Sequence, residues 1–327
     1  MLRTTIVIAA ALAFAAGLPI APAQAVGAAR TFVSAAGSDS NNCTNVVSPC
    51  RHLAAAYAAT APNGEIYVLD PANYGSLTIT GPVSIEGHGW ASIAPVAGQA
   101  AITINAAGAT DKINIIGVVL DGTAIANAIG IRFNSGGTLT VRDSVIRNFT
   151  VNGIVFQPNT SNPSQFSITN SNVSDNSQYG VLVLPNGVSV GGVLDHVGLY
   201  NNGVGGLLVN GIFVGASNAV SVTAIDSVAS NNGITGTDQG GFAALSALNQ
   251  GGANLMLVRS AAVTNSTHGI LASGPNAAVI VNASTVFKNS SGWVAESGGK
   301  IFSYENNTVI GNDADESDQT SALTAKK

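Results

Sequence analysis

The sequence predicts an all-β fold: a right-handed parallel β-helix, a solenoid of stacked rungs, with a short capping α-helix at its N-terminal end. Short β-branched runs bounded by Asn, Gly, Ser or Asp follow residue 65 without helical spacing, and these runs repeat. Charged residues make up only 9% and apolar residues 46% of the 327 residues, which excludes general disorder. A net charge of −5 excludes the broad basic surface of a nucleic-acid-binding protein.

The first 25 residues have the pattern of a secretory signal peptide. Arg3 precedes an apolar stretch from Ile6 to Ala16, and Ala23-Gln24-Ala25 provides a small-x-small cleavage site. The apolar stretch is shorter than the ~20 residues that a membrane span requires, and no later segment of that length is free of polar residues. We therefore expect a secreted protein, extracellular or periplasmic, with no membrane span after cleavage.

Residues 26–64 are predicted to form an N-terminal cap. Cys43 and Cys50 are the only cysteines, and we expect them to form a disulfide in the oxidising compartment to which the chain is exported. Ser48 can cap a helix whose first turn begins with proline, which predicts an amphipathic helix over Pro49–Thr60. Its apolar side would cover the first rung, whose open strand edges would otherwise promote aggregation.

Residues 65–312 contain internal repeats that predict the rungs of the β-helix. The segment Leu139–Asn148 is followed by Gly153–Phe156, and the similar segment Phe166–Asn176 is followed by Gly180–Val183. A unit of this size cannot enclose a core by itself, so stacking at roughly 4.8 Å per rung must bury its apolar residues. The chirality of parallel connections makes the predicted helix right-handed.

An asparagine anchors each repeat, and successive anchors are 23 to 34 residues apart. Asparagine tolerates left-handed backbone and hydrogen-bonds neighbouring turn backbone, so we expect these anchors to stack as a structural ladder. The predicted members are Asn148, Asn176, Asn201, Asn231, Asn265, Asn289 and Asn312. The segment after them, residues 313–327, is polar and aperiodic and is predicted to be a disordered tail.

Four sequence segments near the N-terminal end carry a resemblance to a known family. The segments Val33-Ser-Ala-Ala-Gly-Ser-Asp-Ser-Asn-Asn-Cys43, Ser48–Leu53, Gly64–Leu69 and Tyr74–Ile79 resemble the opening of secreted bacterial right-handed β-helix repeat proteins of the pectate-lyase-like superfamily. The resemblance covers essentially the whole chain after the signal peptide. It implies the fold and no particular activity, because the superfamily includes lyases, hydrolases, epimerases and adhesins.

Asp195, His196 and Asp226 are weak candidates for catalytic residues. Polysaccharide lyases of this superfamily use clustered aspartates that hold calcium together with a base, and hydrolases need two carboxyl groups at the scissile bond. Asp195 and Asp226 are predicted to lie on adjacent rungs. However, Asn170 and Asn282 occupy nearly the same place in their repeats, which favours a ladder of turn residues. No motif supports calcium or another cofactor, and no metal site is predicted.

Alternation along the strand after each repeated glycine predicts an outward-facing apolar stripe. Its members are Val155, Leu182, Leu208, Leu271 and Val294. Such a stripe indicates a surface for a partner or a second copy, unless the inserts at residues 157–165 and 234–252 fold over it.

Three functions remain open at the level of sequence. The first is a non-catalytic extracellular or cell-surface module that binds a glycan or a protein along its lateral face. The second is a polysaccharide lyase or glycoside hydrolase acting on acidic polysaccharide, for which the sequence provides no convergent set of acids and base. The third is a structural or self-assembling surface protein, in which the apolar stripe would join copies.

Overall fold

The structure is a computed structural model and describes residues 27–160, 162–235, 239–316 and 320–322. Residues 1–25, the expected signal peptide, lie outside the described residues. In chain order the elements are β1 (Ala28–Val33), α1 (Leu53–Ala59), β2 (Thr60–Val68), β3 (Ala72–Asn73), β4 (Leu77–Ile79), β5 (Val83–Ile93), β6 (Ala100–Asn105), β7 (Lys112–Asp121), β8 (Ile129–Ser135), β9 (Thr138–Arg142), β10 (Val145–Arg147), β11 (Ile154–Phe156), β12 (Ser164–Thr169), β13 (Asn172–Ser174), β14 (Tyr179–Val183), β15 (Val190–Asp195), β16 (Gly198–Tyr200), β17 (Gly205–Asn210), β18 (Ala219–Ile225), β19 (Val228–Ser230), β20 (Gly240–Leu245), β21 (Gly252–Val258), β22 (Ala261–Val263), β23 (His268–Ser273), β24 (Ala277–Asn282), β25 (Thr285–Phe287), β26 (Ser291–Glu296), β27 (Lys300–Ser303), β28 (Thr308–Ile310), β29 (Ala314–Glu316) and β30 (Thr320–Ala322).

Each central rung has three strands separated by two sharp turns. In one rung β12 leads through the first turn, at Asn170, into β13, and the second turn, at Asp175, leads towards β14. Every strand pairs in parallel with its equivalent in the next rung, as β12 does with β15 and β14 with β17. The first two strands of the rungs belong to one sheet and the third strands to another. The predicted right-handed parallel β-helix is confirmed.

Left-handed backbone conformations mark both turns. At the first turn φ lies between 46° and 53° at Asp143, Asn170, His196, Asp226, Arg259 and Ala283. At the second turn φ lies between 54° and 61° at Asn148, Asp175, Asn201, Asn231, Thr264 and Lys288. Asn and Asp adopt this region more readily than other side chains, which explains much of the asparagine and aspartate in the repeats.

The core fills the inside of the solenoid with stacked apolar side chains. Ile154 and Phe156 of one rung, and Val181 and Val183 of the next, are buried as the alternation predicts. The ring centroid of Phe156 lies 4.2 Å from that of Phe133 in the preceding rung, in a stacked arrangement. Stacking therefore buries apolar residues that no single rung could enclose.

A ladder of buried asparagine side chains follows the second turn. The amide nitrogen of Asn176 donates to Oδ1 of Asn202 at 2.9 Å, and that of Asn232 donates to Oδ1 of Asn265 at 3.0 Å. The ladder also satisfies backbone groups, since the backbone N–H of Phe149 donates to Oδ1 of Asn176. Its members are Asn176, Asn202, Asn232, Asn265, Asn289 and Asn312.

Three of the predicted ladder residues lie outside this asparagine ladder. Asn148, Asn201 and Asn231 are the left-handed second-turn residues, and each precedes the ladder position by one residue. The repeat has two neighbouring positions that favour asparagine for different reasons, one for its backbone and one for its buried side chain. In the first of these rungs the ladder position holds a phenylalanine, so the ladder ends there.

A second ladder of buried serines follows the first turn. The backbone N–H of Ser144 donates to Oγ of Ser171 at 3.2 Å, and that of Ser260 donates to Oγ of Ser284 at 3.1 Å. Ser227 occupies the same position between these pairs and accepts from the backbone N–H of residue 197 at 3.1 Å. The first turn is thereby supported from inside, which leaves the side chains of its left-handed residues free to face solvent.

The predicted disulfide between Cys43 and Cys50 is present. Cys50 forms a parallel bridge with Val33, and its backbone N–H donates to the carbonyl oxygen of Phe32 at 2.9 Å. Because Cys50 is extended against β1, the helix cannot begin at Pro49 as predicted. It begins at residue 53 instead.

The capping helix α1 is short and packs on the first rungs. Leu53 and Ala56 on its apolar side are buried, and the helix contacts β1, β2 and β4. Its N-cap is His52 rather than Ser48, and no side chain caps it. The predicted boundary at residue 64 is also too late, because β1 already pairs in parallel with β2, with Thr31 opposite Ile66.

Strands continue past the predicted end of the β-helix at Asn312. Ala314–Glu316 pairs in parallel with β26, and Thr320–Ala322 pairs in parallel with β27. The expectation of a disordered tail from Asp313 is therefore wrong for these two segments, because backbone pairing with the last rung does not require apolar periodicity. Among the described residues, no helix has the length and apolar character needed to cross a membrane.

Candidate functional site

The first turn places polar and charged side chains at one edge of the solenoid. Asp143, Asn170, His196, Asp226 and Arg259 are the left-handed residues of successive rungs, which stack at about 4.8 Å per rung. The serines behind them satisfy the turn backbone, so these side chains are not needed for that purpose. Side chains at the first-turn edge can therefore be substituted without loss of the turn's backbone hydrogen bonds, so this edge is suited to binding.

The three predicted catalytic candidates come together at this edge. Nδ1 of His196 lies 2.7 Å from Oδ1 of Asp195, and one ligand atom each from Asp195, His196 and Asp226 lie within 4.8 Å of one another. Asp195 and Asp226 occupy adjacent rungs as predicted, but they do not share a column. Asp195 ends β15 and pairs with Ile225, so the residue equivalent to Asp226 is His196.

Sequence reasoning missed Arg259, which controls this cluster. Its Nε and Nη2 atoms donate to the two carboxylate oxygens of Asp226 at 2.8 and 2.7 Å. These bonds hold the pKa of Asp226 below its usual value, and the carboxylate raises the pKa of Arg259. The sequence does contain a signal for this contact. Arg259 occupies the same first-turn position in its repeat as Asp226 does in the preceding repeat, so the two side chains lie on adjacent rungs.

The cluster does not fit a calcium ion. Calcium takes six to eight oxygen ligands, whereas the cluster offers two carboxylates and an imidazole nitrogen. Both oxygens of Asp226 are already engaged by Arg259. The salt bridge between Arg259 and Asp226 indicates that the cluster is an exposed network of ion pairs and not a metal centre.

Nor does the cluster have the protonated carboxyl group of a glycosidase or a free arginine that could serve as the base of a lyase. A glycosidase needs one carboxyl group kept protonated, usually by burial, but Asp226 is held ionised by Arg259 and Asp195 is 41% exposed. A lyase needs a basic group free to accept a proton, but the guanidinium of Arg259 is engaged with Asp226 and its pKa is raised. The arrangement can donate and accept hydrogen bonds, and the one group left that could act as a general base is the exposed imidazole of His196, which is paired with Asp195.

Two other arginines are paired in the same way, Arg142 at this edge and Arg147 at the second turn. Nε of Arg142 lies 3.1 Å from the carboxylate of Asp143, and Nε of Arg147 lies 3.1 Å from that of Asp121. Burial raises the pKa of Asp121, but hydrogen bonds, chiefly from the hydroxyl of Thr123, lower it by more. The edge is therefore close to charge-balanced, with many donors and acceptors and little net field.

A shallow groove of about 470 Å³ runs along this edge. We call it the turn groove; it is lined by Asp143, Ser144, Val145, Asn170, Ser171, Asn172, His196, Gly198 and Tyr200. The ring of Tyr200 packs over Gly198, and a Cβ on residue 198 would be only 2.3 Å from Cε2 of that ring. The glycine thus makes room for an aromatic side chain against the sheet, beside the polar residues of the first turn.

Asn172 occupies the centre of the turn groove. It pairs with Val145 in the preceding rung and with Gly198 in the next. Its Oδ1 atom is buried without a hydrogen-bond partner among the described residues. An unsatisfied buried acceptor costs roughly 1–3 kcal/mol, so this amide is not placed there for stability.

Comparison with solved structures identifies the fold. Pectate lyase Pel9A is 17% identical to this chain, with a TM-score of 0.54 over 85% of this chain and 75% of that chain. The chain has the right-handed parallel β-helix fold of pectate lyase Pel9A. At this level of identity the likeness extends to the fold alone.

Two further β-helix proteins resemble this one more distantly. A rhamnogalacturonan lyase is 12% identical, with a TM-score of 0.42, over 84% of this chain and 75% of that chain. The A-module of the Azotobacter vinelandii mannuronan C-5 epimerase AlgE4 is 12% identical, with a TM-score of 0.39, over 80% of this chain and 91% of that chain. Comparison with protein-family models and with curated proteins gives no match.

On this β-helix the apolar stripe forms a continuous column, as the alternation predicts. Val155 pairs with Leu182, and Leu182 pairs with Leu208 in the following rung. Leu271 pairs with Val294 further along, and an alanine at position 243 completes the column between these groups. The stripe lies on the outer side of the sheet formed by the third strands.

Three of the five residues of the stripe are buried, and the other two, Leu182 and Val294, are half-buried. Val155 and Leu208 are each 3% exposed and Leu271 is 1% exposed. Tyr179 and Leu245 pack against the cluster that contains Leu208 and Leu271. Flanking side chains, one of them from the insert at 234–252, therefore cover part of the stripe, which favours the alternative that the inserts fold over it.

Proposed function

We propose that this protein is a secreted, non-catalytic polysaccharide-binding protein and that the turn groove is its binding site. The observation that carries the proposal is the ring of Tyr200 lying over Gly198. This aromatic face is bordered in the same groove by a carboxylate, an amide and an imidazole, those of Asp143, Asn170 and His196. The disulfide between Cys43 and Cys50 supports an oxidising compartment outside the cytoplasm.

The chemistry of the turn groove matches the two kinds of surface that a sugar ring presents. The carbon-bound hydrogens on one face of a pyranose are apolar and pack on an aromatic ring, while the hydroxyl groups at its rim need donors and acceptors. Tyr200 provides the ring, and two residues near Gly198 provide polar groups: His196 lies two residues before it in sequence, and Asn172 lies opposite it in the preceding rung.

The charge distribution narrows the class of polysaccharide. Arg142 and Arg259 at the first-turn edge are each paired with an aspartate, and the whole chain has a net charge of −5. Such a surface does not attract a polyanion over long range. We therefore propose a neutral or sparsely charged polysaccharide as the ligand.

The catalytic alternative has one observation in its favour. The carboxyl groups of Asp195 and Asp226 approach within 4.8 Å, which is near the spacing of about 5 Å in retaining glycosidases. The salt bridge from Arg259 and the exposure of Asp195 argue against it, as described above. Binding without turnover is the function that the geometry supports best.

Affinity electrophoresis tests the proposal. The protein without residues 1–25 is run in gels containing xylan, mixed-linkage β-glucan, galactomannan or polygalacturonate. We expect retardation by at least one neutral polymer and about tenfold weaker binding by Tyr200→Ala, the equivalent of about 1.4 kcal/mol. Phe213→Ala is the matched control, because it removes an exposed aromatic side chain that lines a separate depression with Leu184 and Asn186.

Two results would count against the turn groove. No retardation by any of the four polymers would remove the proposed function. Equal weakening by Tyr200→Ala and Phe213→Ala would mean that the polymer is held elsewhere or without specificity. Circular dichroism and melting curves of both variants check that each remains folded.

A further inference from the structure

Strand β5 carries an insertion that has no counterpart in its neighbour β7. Glu86 of β5 pairs with Ile116 of β7, and Ala91 pairs with Val118. Between these pairs β5 has four residues, 87–90, where β7 has the single residue Gly117. The extra residues form a bulge at the first turn, which lifts their side chains away from the sheet.

The backbone of this bulge is held in an unusual shape. His88 and Gly89 both have left-handed conformations, with φ of 55° and 81°. Gly87 and Gly117 permit the close approach of the two strands, because a Cβ on Gly87 would lie 2.5 Å from the carbonyl oxygen of Gly117. The effect of this backbone is to present His88 and Trp90 on the outer surface.

These side chains complete a row of aromatic rings across the first rungs, the aromatic platform of Phe32, Tyr67, His88 and Trp90. Ring centroids are 6.2 Å apart for Phe32 and Tyr67, 4.4 Å for Tyr67 and His88, and 5.5 Å for His88 and Trp90. Trp90 ends the row and is 46% exposed. The exposed indole packs against His88 in a tilted arrangement, and edge-to-face contacts continue the row behind it, which gives a supported apolar face to solvent.

Charged groups border the aromatic platform. The guanidinium of Arg30 lies 5.4 Å from the ring centroid of Tyr67, and its Nε donates to the carboxylate of Glu65 at 2.6 Å. The carboxylate of Glu86 lies 3.6 Å from Nδ1 of His88. The platform therefore combines an apolar face with nearby hydrogen-bond donors and acceptors.

We propose that the aromatic platform is a second saccharide subsite, in line with the turn groove, and that Trp90 stacks on a pyranose ring of the same polysaccharide. This inference rests on the proposed function. The bulge lies at the first turn, where Gly117 and then Asp143 follow on the next two rungs. The platform is thus about 10 Å from the near end of the groove, along the axis of the solenoid.

Two subsites on one axis predict that affinity depends on the length of the ligand. A polymer long enough to reach both gains the second contact as an intramolecular event, whereas a short oligosaccharide can occupy only one. Loss of Trp90 is therefore expected to weaken binding of a polymer and to leave binding of a short oligosaccharide at the groove unchanged.

The tryptophan content of the chain provides a direct readout. The sequence has two tryptophans, and the second, Trp293, is only 3% exposed. Acrylamide quenching of fluorescence should therefore report on Trp90. The probes are the four polymers used in the gels, and a disaccharide and a hexasaccharide of the polymer that binds best.

The expected result is at least a twofold fall in acrylamide quenching on addition of polymer or hexasaccharide, with a shift of emission to shorter wavelength. Trp90→Ala should weaken polymer retardation about tenfold. Trp90→Phe, which keeps an aromatic face, should stay within about twofold of the wild type. Melting curves of both variants confirm that the fold is intact.

The outcomes separate this inference from the proposed function. Polymer binding that is lost in Tyr200→Ala, is unchanged in Trp90→Ala and leaves quenching unaltered would overturn the second subsite alone. Protection of Trp90 by polymer that persists in Tyr200→Ala would retain the subsite and overturn the groove. No binding and no protection with any polymer would overturn both. Protection that grows with protein concentration in the absence of polymer would show that a second copy covers the platform, which also overturns the inference.

Discussion

Asn202 donates from its side-chain amide to Oδ1 of Asn232 at 2.9 Å, linking two rungs through the inside of the second turn. The same amide donates to the carbonyl oxygen of Val173 in the preceding rung at 3.1 Å. Asn202 is fully buried, whereas its neighbour Asn201 is exposed and has a φ of 55°. Two adjacent asparagines thus have separate roles in one turn, and substitution can distinguish them.

Asn202→Ala should lower the free energy of unfolding by about 1–3 kcal/mol, because it leaves buried partners in the adjacent rungs unsatisfied. Asn201→Gly should change stability little, since glycine adopts the left-handed conformation without strain. Thermal and urea unfolding of both variants measure the difference. Equal effects of the two substitutions would contradict the ladder register described here.

The sequence predicted the fold well because the repeat is visible in one chain. It could not distinguish Asn201 from Asn202, because asparagine satisfies both positions and only the register of the second turn separates them. The same limit applies at the first turn, where His196 rather than Asp195 aligns with Asp226. Local propensity identifies the turns, and packing between rungs decides which residue of a pair points inward.

The candidate site was less predictable than the fold. Aromatic residues make up only 6% of the sequence, yet Tyr67 and Trp90 both pack against His88 on the outer surface of the first rungs. The pairing of Arg259 with Asp226 likewise joins residues 33 positions apart. Parallel stacking of the rungs brings residues that are distant in sequence into contact. The amino-acid composition alone does not predict these contacts.

Replacing both Cys43 and Cys50 by serine should loosen the N-terminal end before the central rungs open. The disulfide closes a short loop, for which a chain-entropy estimate is about 2 kcal/mol. Limited proteolysis followed by mass spectrometry should find earlier cleavage around residues 34–52 in the variant than in the wild type. Two free thiols in the exported wild-type protein would contradict this pairing.

The first rung should have an acid-sensitive contact at Asp70. Burial raises the pKa of this carboxyl, but hydrogen bonds from the hydroxyls of Tyr74 and Ser34 and from the backbone N–H of Ala35 lower it by more. A carboxyl with a lowered pKa in the folded state stabilises the fold above its unfolded pKa, about 3.9, and loses this contribution as pH falls through the folded value.

Asp70→Asn should therefore destabilise the protein at pH 7 by roughly 1.5–3 kcal/mol, the range for hydrogen bonds to a charged group. The difference in stability between Asp70→Asn and the wild type should shrink as pH falls below about 3.9, the pKa of the carboxyl in the unfolded chain, and should be lost below its lowered pKa in the folded state. Melting temperatures of both proteins from pH 7 to pH 2.5 test this. A difference that is constant across the whole range would show that the charge of Asp70 contributes nothing.

Burial of the apolar stripe predicts that charge on it destabilises the fold. Leu208→Lys places an ammonium group where the side chain is 3% exposed, and we expect a loss of several kcal/mol or failure to fold. Leu248→Lys is the matched control, since that leucine is 73% exposed and the change should be within about 0.5 kcal/mol. If Leu208→Lys instead remains fully stable and only reduces self-association in light scattering, the stripe is a partner surface after all.

We expect no catalytic turnover of acidic polysaccharides. The salt bridge from Arg259 keeps Asp226 ionised and engages one of the two basic groups of the cluster, while Asp195 lacks the burial of a catalytic acid. Incubation with polygalacturonate or alginate, with and without calcium, should yield neither unsaturated products, measured by ultraviolet absorbance, nor new reducing ends. Asp195→Asn and Asp226→Asn are then expected to match the wild type. Turnover by the wild type that falls in either variant, at an unchanged melting temperature, would mean that the approach of these two carboxyl groups within 4.8 Å is a catalytic arrangement. In that event the paired state described here would have to open when substrate binds, with Arg259 released from Asp226.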